Sequence, residues 1–258
     1  MPTPLPAARI ALVTGAGSAT GIGFAAAAVL GEAGCRVALA ATTARIHERA
    51  RALSARGIDA TGFVADLTDP GQVAALAGAV ERELGPVTVL VNNAGMAALG
   101  VVDAAAPLAR MPLELWRQVL DRNLTTAFLV TRACLAGMQA AGWGRIVNVA
   151  STTGAVAGVA CDSAYAAAKA GMLGMTRSLS LEVAAAGITV NAVAPGWIAT
   201  GSQSEQERRA GAACPLGRSG TPAEVAAAIA FLCSVGASYV TGQLLVIDGG
   251  NSVVEDRG

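Results

Sequence analysis

The stretch IALVTGAGSATGIGFAAAAVLGEA, residues 10–33, joins a short apolar run to an alanine-rich run through a glycine-rich turn. The run Ile10–Thr14 has the uncharged, β-branched composition of a buried strand, and the alanine-rich run Gly23–Ala33 favours a helix. Glycine lets the backbone turn sharply between two such elements. The stretch therefore predicts a strand, a tight turn and a helix, the unit from which parallel sheets are built.

The same alternation continues through the rest of the chain. Six further strands are predicted at Arg36–Ala40, Ala60–Ala65, Val87–Val91, Arg145–Ala150, Thr189–Val193 and Leu244–Ile247. Further helices are predicted at Glu48–Arg56, Gln72–Leu84, Leu113–Ala140, Ala164–Ala186 and Ala223–Val235. Apolar strands linked by helices indicate an α/β fold, a doubly wound parallel sheet with helices on both faces. No composition break divides the chain, so we expect residues 1–258 to form a single domain.

Bulk composition excludes several classes of protein. The mean hydropathy is +0.53, but the long uncharged stretch Val183 to Ser204 contains a proline, an asparagine and several glycines, so we expect no transmembrane helix there. The segment Met1–Ala8 has three prolines and no cationic cluster, unlike a signal peptide. The net charge is zero, without a basic run, which argues against a nucleic-acid partner. Five scattered cysteines are typical of reduced thiols in a cytoplasmic protein.

The glycine-rich turn is a candidate phosphate site. Its glycines allow close approach of the backbone to a pyrophosphate, and the helix that follows offers free N–H groups and its positive dipole end. The position directly after the first strand is the one such a motif requires. The candidate residues are Gly15, Gly17, Ser18, Thr20, Gly21, Ile22 and Gly23. The alternative is a glycine-rich turn that binds nothing.

Tyr165 and Lys169 are the strongest catalytic candidates. They are four residues apart in a predicted helix, so they share one face. Of the 18 lysine and arginine residues, Lys169 is the only lysine, and it follows one of only two tyrosines. A carbonyl that accepts hydride needs a proton donor, and a nearby ammonium is expected to lower the pKa of a tyrosine toward the working range. A hydroxyl such as that of Ser151, at the end of the fifth strand, could hold the carbonyl oxygen.

These residues resemble the short-chain dehydrogenase/reductase family over nearly the whole chain, and the overall pattern is most similar to bacterial 3-oxoacyl-(acyl-carrier-protein) reductases. Tyr165 and Lys169 match its YxxxK motif, Ser151 its catalytic serine, and Asn123 the helix asparagine that holds a proton relay behind the lysine. The resemblance implies a Rossmann fold and a carbonyl or alcohol substrate.

The same resemblance implies further cofactor contacts. Asp66, with Leu67 beside it, is similar to the aspartate that contacts adenine, and residues 92–95 resemble the NNAG motif. Residues 195–200 resemble the PGxxxT loop, in which Ile198 would meet the nicotinamide carboxamide by its backbone and Thr200 by its hydroxyl. The contacts implied by these last two motifs are Asn93, Ala94, Gly95, Pro195, Gly196, Ile198 and Thr200.

The sequence departs from the family pattern at four places. Five residues separate Gly15 from Gly21 where the family usually has three, and the spacing from Ser151 to Tyr165 is one residue longer, which leaves Thr152 as a second candidate for the hydroxyl. The segment Met96–Leu115 is longer than in carrier-protein reductases, and the lid after Thr200 is shorter. We expect substrate loops at residues 96–115 and 195–221, the latter being the longest irregular stretch, and a compact or cyclic ketone as substrate.

The end of the second strand bears on the choice of dinucleotide. A carboxylate there would bind the ribose hydroxyls of NAD and repel a 2′-phosphate, but this strand leads into Thr42 and Thr43, followed by Arg45. NADP(H) is therefore favoured and NAD(H) is possible. The alternative is that the two threonines only cap the next helix.

Other classes of protein agree less well with these residues. The only histidine, His47, lies at the start of the second helix without a GxSxG motif, which argues against a hydrolase, and no set of metal ligands is apparent. An NAD-dependent alcohol, sugar or steroid dehydrogenase and a non-catalytic dinucleotide-binding regulator are the remaining alternatives. Helices Leu113–Ala140 and Ala164–Ala186 carry more apolar residues than one sheet face can cover, and the family pairs such helices between subunits, which predicts a homotetramer.

Overall fold

The computed structural model describes residues 9–95 and 106–255. It contains seven parallel strands in one sheet, in the order β3-β2-β1-β4-β5-β6-β7. Their bounds are β1 Ile10–Thr14, β2 Arg36–Ala41, β3 Ala60–Val64, β4 Val87–Asn92, β5 Gly144–Val149, β6 Ile188–Pro195 and β7 Leu244–Ile247. The predicted doubly wound sheet is confirmed. The prediction for Met1–Ala8 lies outside the described residues, as does the first half of the segment Met96–Leu115.

Helices cover both faces of the sheet because the strands are apolar on both sides. Strands β1, β4, β5 and β6 are buried at every residue. The helices are α1 Ile22–Glu32, α2 Arg45–Ser54, α3 Pro70–Glu83, α4 Leu113–Leu120, α5 Thr126–Ala140, α6 Thr152–Ala155, α7 Ser163–Val183, α8 Glu205–Ala212 and α9 Pro222–Cys233. Two large clusters of buried side chains, one on each face, form the core.

Two predictions about the helices are wrong. The predicted single helix Leu113–Ala140 is interrupted by a π-helical turn, Asp121–Thr125, that separates α4 from α5. Residues 195–221 are not one irregular stretch, because they contain the end of β6 and helix α8. Ser204 begins α8 with a capping box: its hydroxyl accepts from the N–H of Glu207, and the Glu207 carboxylate accepts from the N–H of Ser204. That Ser-x-x-Glu pattern is visible in the sequence.

The strand order places the functional motifs together. Connections run from β1 toward β3 on one side and from β4 toward β7 on the other, so the topology reverses between β1 and β4. A crevice opens outside the carboxyl ends of the strands at such a reversal, and ligands of doubly wound folds bind there. The glycine-rich turn follows β1 and the residues 93–95 follow β4, so both border this crevice.

Candidate active site

The glycine-rich turn and the end of β4 are joined by a set of hydrogen bonds. The hydroxyl of Thr14 accepts from the backbone N–H of Asn93 at 3.0 Å and of Ala94 at 2.9 Å. The Asn93 side chain donates to the carbonyl of Thr14 at 2.9 Å and that of Gly15 at 3.1 Å. A Cβ atom at Gly15, where φ is +66°, would lie 2.8 Å from the Cα atom of Ala94. Glycine at this position therefore lets the two loops pack closely.

Helix α1, like α2, begins without a side-chain cap, whereas several other helices have one. Asp69, Ser204 and Thr221 cap α3, α8 and α9 by accepting backbone N–H groups. At the start of α1 the N-cap is Gly21, which supplies no side-chain acceptor, and the first turn holds no acidic residue. The unsatisfied N–H groups and the positive dipole end of α1 thus suit a pyrophosphate, which supplies acceptor oxygens and negative charge.

Ser151 and Tyr165 are brought together by a turn after β5. Ser151 caps the short helix α6, its hydroxyl accepts from the N–H of Thr153 at 3.2 Å, and it lies close enough to the Tyr165 hydroxyl to lower the pKa of that group. Gly154 has φ of +87°, and a Cβ atom there would collide with the carbonyl of Ala166 in α7. Thr152, the alternative hydroxyl, is buried, and the hydroxyl that acts on Tyr165 is that of Ser151.

Lys169 is buried directly beneath this pair. Its side chain is 3% exposed, and Nζ donates to the carbonyl of Val149 at the end of β5 at 2.9 Å. Nζ also lies 5.5 Å from the centroid of the Tyr165 ring, as expected for residues four apart on one helix. The predicted shared face of Tyr165 and Lys169 is confirmed.

Asn123, in the π-helical turn, lies near Lys169. It is fully buried, and its side-chain amide donates to the carbonyl of Val119 at 3.0 Å. A Cβ atom at Gly95 would lie 2.6 Å from Asn123 Oδ1 and 3.3 Å from Lys169 Nζ. The absence of a side chain at Gly95 thus allows the asparagine and the lysine to come together behind the end of β4. π-helical turns inside α-helices often occur at functional sites.

The pKa of Tyr165 is shifted in the direction opposite to our prediction. Burial raises it to about 12, the hydrogen bond from Ser151 opposes that rise, and the charges of Asp162 and Glu207 add to it. Burial also lowers the pKa of Lys169 to about 8. The lysine lies against the face of the ring rather than beside the hydroxyl, so desolvation dominates the pKa of Tyr165.

The remaining predicted residues border the crevice in different ways. Asp66 is exposed and accepts from the N–H and hydroxyl of Thr68, while Leu67 is buried. Pro195 ends β6, and Gly196 donates its N–H to the carbonyl of Ile247 at 3.0 Å.

Beyond that point, Ile198 is buried and pairs with Gly220 in an isolated bridge. The hydroxyl of Thr200 lies 3.1 Å from that of Ser202. Residues 196–200 thus continue from the carboxyl end of β6, on the side of the sheet where the catalytic candidates lie.

The end of β2 carries no carboxylate. Thr42 and Thr43 are exposed, and Arg45 donates to the Thr43 hydroxyl at 3.4 Å. Helix α2 begins after Ala44 without any side-chain cap, so the alternative in which the threonines cap it is wrong. Within residues 9–95 and 106–255, Arg45 forms no ion pair.

Comparison with known proteins agrees with this geometry. A family model described as enoyl-(acyl carrier protein) reductase, of the short-chain dehydrogenase/reductase type, matches residues 15–252. The chain is 44% identical over 252 residues to cis-4-hydroxycyclohexanecarboxylate dehydrogenase of Sinomonas cyclohexanicum, which covers 96% of this chain and 98% of that one. The chain belongs to the short-chain dehydrogenase/reductase family.

Other relatives extend the comparison. A 3-oxoacyl-(acyl-carrier-protein) reductase of Pseudomonas aeruginosa is 41% identical over 247 residues, 94% of this chain and 96% of that one. The crystal structure of a variant actinorhodin polyketide ketoreductase with NADPH superposes with a TM-score of 0.86 at 39% identity and covers 96% and 98% of the two chains. Like its family, this protein is an oxidoreductase that uses a nicotinamide dinucleotide and acts on CH–OH groups.

The structure of this short-chain dehydrogenase/reductase contains a buried polar network that the sequence does not predict. A buried chain of amides and hydroxyls runs beneath the site: Asn92 donates to Thr131 at 2.8 Å and to Asn148 at 2.9 Å, and Asn148 donates to Thr176 at 2.8 Å. These hydrogen bonds join β4 and β5 to α5, which follows the π-helical turn that contains Asn123, and to α7, which contains Lys169. Asparagines inside otherwise apolar strands were the signal for it.

Possible metal ligands, cysteine thiols and membrane-spanning helices were the remaining features of the described residues that could bear on function. Among the residues that the structure describes, no three histidine, cysteine or acidic side chains are close enough to share a metal ion. All five cysteines are free thiols, and Cys161 alone of them is exposed. None of the described helices has the length and apolar content needed to cross a bilayer.

Proposed function

We propose that this protein is an NADPH-dependent ketoreductase that interconverts a carbonyl and a secondary alcohol, with Tyr165 as the general acid and base. One observation carries the proposal: a buried lysine, a serine whose hydroxyl acts on a neighbouring tyrosine, and a buried asparagine converge at the carboxyl end of the sheet. NADPH, when bound, supplies the hydride. The proton is the part of the reaction that the chain's own residues must handle.

Each residue of the site has a distinct task in this proposal. Ser151 holds the substrate oxygen beside the Tyr165 hydroxyl, which donates its proton to that oxygen during reduction and accepts one during oxidation. Lys169 supplies positive charge that favours the developing phenolate, and Asn123 connects the lysine to a proton relay. The N-terminal N–H groups of α1 would hold the pyrophosphate, with Asn93 and Gly95 lining the crevice beside it.

The preference for NADP over NAD rests on the end of β2. Two exposed hydroxyls and an arginine without a carboxylate partner among the described residues suit a 2′-phosphate, and no carboxylate follows β2 to repel it. An NADPH complex of a ketoreductase 39% identical to this chain supports the same choice.

The substrate we propose is a compact or cyclic ketone or its alcohol. The longer segment 96–115 and the short lid that contains α8 both argue against a long acyl chain on a carrier protein. The name of the relative that is 44% identical, cis-4-hydroxycyclohexanecarboxylate dehydrogenase, supports a cyclic alcohol and also keeps NAD-dependent oxidation as the second candidate.

Exposed apolar side chains support a homotetramer. Phe128 on α5 is 45% exposed and Leu181 on α7 is 82% exposed, on the two helices expected to pair between subunits. We further propose one domain over residues 1–258 and a cytoplasmic location, which the five free thiols support. A monomeric mass by light scattering at micromolar concentration would contradict the assembly.

Direct titration and a substrate panel test the function. We expect the fluorescence of NADPH to report tighter binding than that of NADH, and we expect turnover of cyclic ketones in excess over acetoacetyl carrier protein. Tighter binding of NADH would contradict the cofactor choice, and efficient turnover of the carrier-protein substrate alone would contradict the substrate class. Binding without turnover of any carbonyl or alcohol would favour the non-catalytic regulator.

A further inference from the structure

The glycine-rich turn makes a hydrogen bond to the segment that follows β6. The hydroxyl of Thr20 accepts from the backbone N–H of Gly201 at 3.0 Å, although the two residues are 181 positions apart. A Cβ atom at Gly201 would collide with that hydroxyl oxygen. Ser18 supports the contact, because its hydroxyl lies 3.4 Å from that of Thr20. The two segments therefore fit together only when position 201 is a glycine.

Thr20 belongs to the part of the turn that is longer than the family pattern. Five residues separate Gly15 from Gly21, and Thr20 is the last of them. The N–H of Gly21 bonds back to the carbonyl of Ser18 at 3.2 Å, so the longer turn folds on itself. That arrangement presents the Thr20 hydroxyl next to the start of α1, where the pyrophosphate is proposed to bind.

Gly201 leads directly to α8 and from there to Tyr165. Gln203 donates its N–H to the carbonyl of Thr200 at 3.1 Å, and Ser204 then caps α8. The Glu207 carboxylate in the first turn of α8 is close enough to Tyr165 for its charge to act on the tyrosine hydroxyl. The charge of Glu207 in α8 thus acts on a reacting group, and the contact with Thr20 lies at the end of the segment that carries α8.

We propose that Thr20 is a positioning residue that latches residues 200–212 over the bound dinucleotide and slows its release. The inference rests on the proposed function, since it requires the dinucleotide in the crevice beside the glycine-rich turn. The latch is a single exposed hydrogen bond, so its loss is expected to change an opening equilibrium by about three- to tenfold. The effect should appear as faster dissociation of the cofactor from a protein whose fold is unchanged.

Stopped-flow displacement of NADPH from the full-length protein tests the latch. We expect Thr20→Val, which keeps the shape and removes the acceptor, to release NADPH about three- to tenfold faster. Thr20→Ser keeps the hydroxyl and should restore a rate close to that of the unaltered protein. Gly201→Ala should release NADPH faster as well, because its methyl group displaces the segment from Thr20.

Gly78→Ala provides the matched control. Gly78 is inside α3, and a Cβ atom there would meet only the end of the Arg82 side chain, at 3.4 Å, so its release rate should match that of the unaltered protein. Equal release rates for Thr20→Val and the unaltered protein would overturn the latch, as would failure of Thr20→Ser to restore the rate. Failure of the unaltered protein to bind NADPH or NADH would instead overturn the proposed function.

Discussion

Strand β5 has a buried cation at each end, and the two are held differently. Near its amino end, Arg145 is 4% exposed, donates to the carbonyls of Gly144 and Gly187, and lies 4.4 Å from the ring centroid of Trp143. At its carboxyl end, Lys169 is 3% exposed and donates to the carbonyl of Val149. Within the described ranges, neither cation forms an ion pair.

The same desolvation has different consequences at the two ends. Burial lowers the pKa of both groups, but a guanidinium stays protonated at neutral pH after such a shift. The pKa of Lys169 falls to about 8, where its proton can be exchanged during turnover. The surroundings differ accordingly: Trp143 covers Arg145 on one side, whereas Lys169 adjoins Tyr165 and Asn123. We propose that Arg145 is structural and that Lys169 takes part in the chemistry.

The largest expected effect comes from removing the hydroxyl of Tyr165, the residue whose ring Lys169 faces. Tyr165→Phe keeps the ring over which the ammonium lies and removes the proton donor, so kcat should fall by about 100- to 10,000-fold. The Kd for NADPH should change little. The control is Tyr239→Phe, which alters the other tyrosine, fully exposed, and should leave kcat unchanged. A comparable loss of kcat in both variants would contradict the assignment of the catalytic residues to this end of the sheet.

The next effect concerns charge placed at the carboxyl end of the sheet. Thr42→Asp puts a carboxylate where the 2′-phosphate is proposed to bind. The repulsion between the carboxylate and a doubly charged phosphate is about 2 kcal/mol at a separation of about 5 Å in water. The binding of NADPH should therefore weaken by about tenfold or more relative to the binding of NADH. Ala55→Asp puts the same charge at the far end of α2 and should not alter the preference. The ratio of the two dissociation constants measures this, and an unchanged ratio in Thr42→Asp contradicts the cofactor assignment.

A smaller effect is expected from exchanging the structural cation. Arg145→Lys loses the planar group that bonds two carbonyls and stacks on Trp143, so the free energy of unfolding should fall by about 1–3 kcal/mol. The value of kcat for the folded protein should stay within about twofold of the original. Urea unfolding followed by circular dichroism gives the first quantity and steady-state kinetics the second. A large loss of kcat without loss of stability would show that the amino end is also functional.

The smallest effect is a pH dependence of stability. The pKa of Lys169 is about 8 in the folded protein and about 10.5 in the unfolded chain, so the unfolded chain holds more protons between these values. Stability attributable to Lys169 must therefore rise with pH across that window and fall as pH drops toward 8. Relative to Lys169→Met, the unaltered protein should gain about 1.6 kcal/mol between pH 8 and 9.5. A difference that stays constant with pH would contradict the buried ammonium.

Much of this architecture could be predicted because the chemistry of its parts is local. The seven strands follow from apolar runs, and the shared face of Tyr165 and Lys169 follows from helical spacing. The π-helical turn at Asn123 could not be predicted, because a run that suits one long helix does not reveal a local change of hydrogen bonding. Helix α8 does not follow from apolar periodicity because its apolar content is low, although Ser204 and Glu207 form a capping box that the sequence shows.

The direction of the Tyr165 pKa could not be obtained from sequence either. The spacing to Lys169 shows that a cation is near, but the pKa depends on whether the ammonium faces the ring or the hydroxyl and on how deeply both are buried. The charges of Asp162 and Glu207 come from a loop and from α8, whose proximity to Tyr165 depends on tertiary structure. The contact between Thr20 and Gly201 depends on it in the same way.

Lys169→Arg tests the central claim most directly, because this chain uses arginine at each of its other basic positions. We expect the larger, planar guanidinium to fit poorly where Lys169 Nζ lies close to Gly95 and Asn123, and it cannot exchange a proton near neutral pH. The measurement is the steady-state kcat on an accepted ketone, with circular dichroism as the control for folding. We predict a loss of at least about 100-fold in a protein that remains folded. Near-normal turnover in folded Lys169→Arg would contradict the assignment of Lys169 to the chemistry.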